Sequence, residues 1–272
     1  MRMHHDGYLR FLVARDGTPD PGRRTLARRE TFFADLAESP VRSTTSIDRA
    51  AFLRNLDRRR PEPGLEPRVL WLLATARANQ AERFGVGLAE LYGRTASAED
   101  PVGLHVQLQE VYHTRILADV VAVFGLQVSQ QPPGAVTRAM IHLMVRAPGR
   151  WQLPLVGAAE MVGCALFSVL GDRGRELFAH EPAVANLIGR LFDEILGDEL
   201  GHVGLIASLL GDGGRAAMRR LYRLLAQPLA RQIPAMLPLF GRRGLRQCFP
   251  ADFRPDLMAA DLPGLAYVAA IP

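Results

Sequence analysis

Two copies of Glu-x-x-His set the strongest constraint on how this chain folds. They are Glu110-Val-Tyr-His113 and Glu199-Leu-Gly-His202. On a helix, positions i and i+3 share a face about one turn apart, so each pair presents a carboxylate and an imidazole to one point. Two further carboxylates, Glu82 and Glu160, fall inside other long helical patterns. Thirteen Glu and seven His in 272 residues would give about a third of one such pair by chance. One pair is weak; two pairs, each matched by a lone Glu, are a far stronger signal.

The patterning around these residues is helical. Strand signals are sparse, and apolar positions recur at three and four residues. Long helices are expected over about 66–92, from Pro101 to about 124, over about 153–170, and from Pro182 to about 210. Asp100 is a good N-cap, with Pro101 in the first turn. A medium helix is expected over 135–146, and two short ones near 25–37 and 46–60. Another, over 215–240, should bend at Pro228 and Pro234. The segment 171–181 reads as a loop and the tail from Phe249 as irregular.

Hairpin geometry then relates the acidic residues. Glu82 and Glu110 are equidistant from Ala96 in the first expected turn, and Glu160 and Glu199 nearly so from Ala179 in the second. Each hairpin supplies one lone Glu opposite one Glu-x-x-His. Each of these residues lies on an apolar or small-residue stripe, such as Val106, Leu117, Val121 and Phe124 beside Glu110 and His113. A buried, unpaired carboxylate costs several kcal/mol, on the order of 3 or more. Four together need neutralising, and two divalent cations with two neutral imidazoles would do it. Glu90 is a poorer substitute for Glu82, being nearer the turn. Glu194 lies well around the helix from Glu199 and reads as surface or supporting. His4, His5 and His180 read as loop residues, and His105 and His142 as structural or surface. Asp198 points away from Glu199, either toward His113, where it could accept that ring's other N–H, or out to solvent.

The expected fold is therefore all-α. A four-helix bundle over 64–212 has a long crossover between its second and third helices, as in ferritin-like bundles. Residues 1–63 form an N-terminal helical extension, and 213–272 a C-terminal helix and tail packed on the bundle, in a single domain overall.

The set Glu82, Glu110-x-x-His113, Glu160, Asp198-Glu199-x-x-His202 resembles the ferritin-like di-iron carboxylate proteins. Asp-Glu-x-x-His at 198–202 is similar to the fourth-helix motif of several members, including the p-aminobenzoate N-oxygenases. Those enzymes carry an extra His one turn before that Glu, where this chain has Ile195. The resemblance implies two iron ions, or a manganese–iron pair, held by Glu82, Glu110, His113, Glu160, Glu199 and His202, with Glu110 or Glu199 bridging. It implies an O2-dependent oxygenase or oxidase acting on a small organic molecule, with no catalytic residue beyond the ligands. No flavin or nicotinamide fingerprint is visible, so electrons would come from an external donor or reductase. Iron storage or peroxide scavenging with the same ligands is the first alternative; a metal-free helical interaction protein is the second. A homodimer is expected.

Composition narrows the remaining classes. All 33 basic residues are arginine, which excludes a lysine Schiff base. The arginine clusters, including Arg28-Arg29 and Arg58-Arg59-Arg60, have few aromatics among them and read as solvated helix surface, so no nucleic-acid partner is expected. Between Trp151 and Gly171 the only ionisable side chains are Glu160 and Cys164. That run is long enough to span a bilayer, but a central Glu favours a buried bundle helix, and no membrane partner is expected. Two cysteines make no disulfide framework, and the first twenty residues do not read as a signal peptide; a cytoplasmic location is expected. Gly85, Gly157, Gly163, Gly197, Gly201 and Gly204 either leave room for a substrate or permit close helix approach.

Overall fold

A computed structural model describes the backbone of residues 2–91 and 100–261, and side chains over 6–87 and 100–258. Among the described residues the chain is almost wholly helical. The elements are α1 (Arg2–Asp16), β1 (Pro19–Asp20), β2 (Thr25–Leu26), α2 (Ala27–Glu38), α3 (Arg49–Asn55), α4 (Pro67–Leu91), α5 (Pro101–Ala122), α6 (Ala135–Arg146), α7 (Gly149–Leu177), α8 (Pro182–Leu209), α9 (Asp212–Gln232), α10 (Met236–Cys248) and α11 (Pro255–Asp261). The two strands form one short antiparallel pair.

Four long helices, α4, α5, α7 and α8, form a closed ring of neighbours: α4 packs on α5, α5 on α8, α8 on α7 and α7 on α4. Local chemistry fixes where they start. Asp100 caps α5 by accepting from the Gly103 amide at 2.9 Å, with Pro101 at the first position. Pro182 opens α8 in the same way. The crossover between α5 and α7 carries α6, which packs on α4, α7 and α9. One hydrophobic core takes in residues from Leu26 to Phe249, so the terminal segments share the bundle's interior.

Several boundaries differ from the sequence expectations, each for a packing reason. Helix α7 continues to Leu177, through a stretch expected to be a loop. A Cβ on Gly174 would stand 2.5 Å from the Trp71 ring, and one on Gly171 3.0 Å from Phe192. These glycines admit large side chains from α4 and α8, and that burial outweighs their poor helix propensity of about 1 kcal/mol each. Trp71 also donates its indole N–H to the Leu170 carbonyl at 2.8 Å.

The expected bent helix over 215–240 is two helices. α9 runs through Pro228, the break falls at Pro234, and α10 extends to Cys248 with Gly241 at φ 68°. The tail includes α11. At the other end α1 carries His4 and His5, which were expected in a loop. The first hairpin turn with Ala96, and the side chains of Ala89 and Glu90, lie outside the described residues.

Helix α7 is long and apolar enough to cross a membrane by length and composition alone. Here its faces are taken up by α8 and α9. Leu155, Ala158, Met161, Cys164, Phe167 and Leu170 along it are buried.

Candidate metal centre

Each helix of the ring contributes to one cluster. Glu82 comes from α4, Glu110 and His113 from α5, Glu160 from α7, and Glu199 and His202 from α8. Their ligating atoms form two overlapping groups. One is Glu82, Glu110, His113 and Glu199; the other is Glu110, Glu160, Glu199 and His202. Within each group the atoms lie within 4.8 Å of one another, close enough to share a cation. Glu110 and Glu199 belong to both groups.

The imidazoles settle how the cluster is poised. His113 Nδ1 lies 3.4 Å from Glu199 Oε1 and 3.8 Å from Glu110 Oε2. His202 Nδ1 lies 3.2 Å from Glu110 Oε1 and 3.4 Å from Glu160 Oε2. Neither nitrogen has a hydrogen-bond partner, although both are buried. The opposite edges of the rings are fully engaged. His113 Nε2 meets Asp198 Oδ2 at 3.2 Å, and His202 Nε2 meets Gln109 Oε1 at 3.0 Å. The Gln109 amide nitrogen donates to Asp16 Oδ2 at 2.7 Å and Asp198 Oδ1 at 3.1 Å, which fixes Oε1 as the atom turned to His202. In the neutral rings both Nε2 atoms therefore carry the proton, and both Nδ1 atoms turn a lone pair toward the carboxylates. Such an arrangement needs a proton or a metal cation between nitrogen and oxygen, and in the metal-free protein the raised His202 supplies a proton. The donor set of carboxylate oxygens and imidazole nitrogens suits iron, manganese or zinc.

The acidic groups titrate far from their ordinary values. Burial pushes Glu82 and Glu199 well up; for Glu82 the carboxylates of Glu110 and Glu160 add to it, and for Glu199 those of Glu160, Glu110 and Glu82. Burial acts the same way on Glu110, but His113 and His202 outweigh it, helped by a hydrogen bond accepted from the Glu82 carboxyl, and bring it down to about 2. Burial lowers His202, and the adjacent carboxylates of Glu110 and Glu160 reverse this and raise it well above its usual range.

Behind the rings lies a charged network that sequence reasoning missed. Arg29, expected on a solvated surface, is only 2% exposed. It donates to Asp198 at 2.6 and 2.7 Å, to Asp16 at 2.9 Å and to Glu194 at 2.5 Å. Arg15 adds a bond to Asp198 Oδ1 at 2.9 Å. Burial would raise the Asp198 carboxyl, but Arg29, then Arg15 and the bond with His113, hold it far below the usual range. The one available signal was Arg29 four residues before Phe33, on the buried face of α2.

Three other histidines, His105, His142 and His180, stand apart from the cluster. His105 is buried, and its ring nitrogens meet the carbonyls of Pro101 and Gly17, each at 3.0 Å. His142 packs edge-on against Phe84, and His180 meets Thr45.

A cavity of about 1100 Å³ opens onto the cluster. Glu82, Glu110, Glu160 and Glu199 line its inner wall, and Val106, Ile141, Met144, Val156 and Leu166 form apolar sides. The glycines divide between two roles. Gly85 and Gly163 line the cavity. Gly163 also sits so close to Glu199 that a Cβ there would collide with Oε2. Gly157 is filled by Met218, Gly197 by Arg15 and Gly201 by Tyr8, so these three serve helix approach. Gly204 is buried in α8. Ile195 is buried core one turn before Glu199. Comparison of the chain with protein-family models, curated proteins and solved structures found no match to any of them.

Proposed function

We propose that this chain is a dinuclear metal protein that uses O2 to oxidise a small organic molecule held in the cavity. The observation that carries the reading is the convergence of four carboxylates and two buried imidazole Nδ1 atoms in two overlapping groups, each spanning no more than 4.8 Å. Two divalent cations cancel four formal negative charges and accept both lone pairs. Glu82 and His113 would hold one ion and Glu160 and His202 the other, with Glu110 and Glu199 common to both. Two iron ions, or a manganese–iron pair, would supply the electrons and coordination sites that O2 reduction requires.

The chain's own residues do the rest. Asp198 and Gln109 hold the two rings in the tautomer that leaves Nδ1 free. The apolar cavity walls exclude water from the reacting groups and leave space for an organic substrate beside the carboxylates. Electrons from outside the chain complete the redox balance, and a separate donor or reductase fits that role. The cavity also separates this reading from iron storage, which needs ion uptake but no apolar chamber.

Metal analysis of the purified, iron-reconstituted protein tests the proposal. Two ions per chain are expected, with loss of at least one in Glu110→Ala and His202→Ala. Substrate-dependent O2 consumption should accompany them. Many irons per chain would favour storage, and metal content unchanged by either substitution would refute the ligand set.

A further inference from the structure

The cavity that reaches the acidic cluster is also lined by four arginines: Arg59, Arg60, Arg77 and Arg231. Arg77 lies on α4, five residues and about 7.5 Å of helical rise before Glu82. Its guanidinium is committed to Gln80 and to the Arg58 carbonyl, each at 2.8 Å. Arg59 and Arg60 follow α3, and Arg231 sits in the last turn of α9. These three are solvent-exposed, and being also cavity-lining they stand at its mouth. They make no ion pair or hydrogen bond with any described residue. Among the described lining residues, the one carboxylate outside the cluster is Asp57. It accepts from Gln80 at 3.0 Å and Ser129 at 2.6 Å and lies 4.0 Å from the Arg77 guanidinium.

The lining thus divides by exposure: its exposed part carries the guanidinium groups of Arg59, Arg60 and Arg231, and its less exposed part carries the cluster's carboxylates together with apolar side chains. A neutral apolar molecule would leave the guanidinium groups unused. An anion could not approach the carboxylates but would be drawn to the mouth.

We infer that the cavity binds an organic anion with an extended apolar body, its carboxylate or phosphate head at Arg59, Arg60 and Arg231 and its far end at the acidic cluster. The inference rests on the proposed function only for what that far end meets; binding itself needs no metal. A guanidinium pairs with either head group through parallel N–H donors.

Isothermal titration of the full chain with decanoate, decyl phosphate and decanol tests this. At least one anion should bind about tenfold more tightly than decanol, and the stronger of the two identifies the head group. The double variant Arg60→Gln/Arg231→Gln should lose about tenfold in affinity for that anion and leave decanol unchanged. Equal affinity for all three probes, or an unaltered double variant, would overturn the inference. Metal content measured on the same samples keeps the two proposals separate. Anion-selective binding in a chain that takes up no metal would sustain the inference and sink the proposed function. Metal uptake without anion selectivity would do the reverse.

Discussion

His113 and Asp198 meet on the outer side of the candidate centre, Nε2 to Oδ2 at 3.2 Å, and Asp198 in turn takes two hydrogen bonds from the buried guanidinium of Arg29. A carboxylate behind a ligand imidazole fixes its tautomer and raises its basicity. Arg29 lets that carboxylate stay ionised in a dry interior. Asp198→Asn keeps the shape and removes the charge. It is expected to weaken metal affinity by about 10- to 100-fold, measured by competition against a chromophoric chelator. Affinity equal to the parent would remove Asp198 from the centre's support.

Arg29→Met takes the guanidinium away from Asp198, Asp16 and Glu194 at once. Removing one partner of a buried ion pair costs about 3–5 kcal/mol. Urea unfolding of the metal-free protein should show a loss of that order. A cost below about 1 kcal/mol would mean that water reaches the network and screens it.

Gly163→Ala tests the geometry of Glu199. The added methyl collides with Oε2 of that carboxylate, while the helical backbone of α7 gains a better helix former. Helix content by circular dichroism should be unchanged and metal stoichiometry should fall. Full occupancy in this variant would show that the Glu199 carboxylate can hold the ions from a different rotamer.

Metal-free stability should pass through a maximum in mildly acid solution. Glu82 and Glu199 hold their protons more tightly folded than unfolded. Their contribution is complete below about pH 4, the unfolded value, and is lost as pH rises through their raised folded values. Glu110 and Asp198 are held low, so theirs is present above about pH 4 and is lost as pH falls through the folded values. Melting temperature scanned against pH should therefore drop on both sides. A flat profile from weakly acid to neutral pH would contradict the clustering of the four carboxylates.

Adding manganese or ferrous ion should remove the decline on the neutral side, because cations take the place of the protons. Free ion at 100 times its dissociation constant stabilises by about 2.7 kcal/mol per site. Chelation should return the melting temperature to its metal-free value.

The helical ring was legible because its signals are local. Asp100-Pro101 and Pro182 mark helix starts, and the three-residue spacing of Glu110 with His113 and of Glu199 with His202 holds on any helix. The helical repeat turned Asp198 away from Glu199 but left open whether it met His113 or solvent; the structure shows His113. Arg15, Asp16 and Arg29 were not legible. Their partners lie 165 or more residues away for Arg15 with Glu194 and Arg29 with Glu194, and nothing in an arginine-rich segment says which guanidinium turns inward. Gln109 was missed because a neutral amide beside Glu110 has no pattern of its own. The continuation of α7 was hidden by Gly171 and Gly174, which punctuate a helix in isolation but here make way for Phe192 and Trp71.

The Arg29–Asp198 bond joins α2 to α8 across 169 residues of chain. Contacts so distant along the chain form late, because a long loop must close before they repay its entropy. The contact from α2 is therefore among those made late in folding, and until then Asp198 lacks the Arg29 counter-charge. The backing that Asp198 gives His113 thus depends on closing a loop that encloses three of the four helices of the ring.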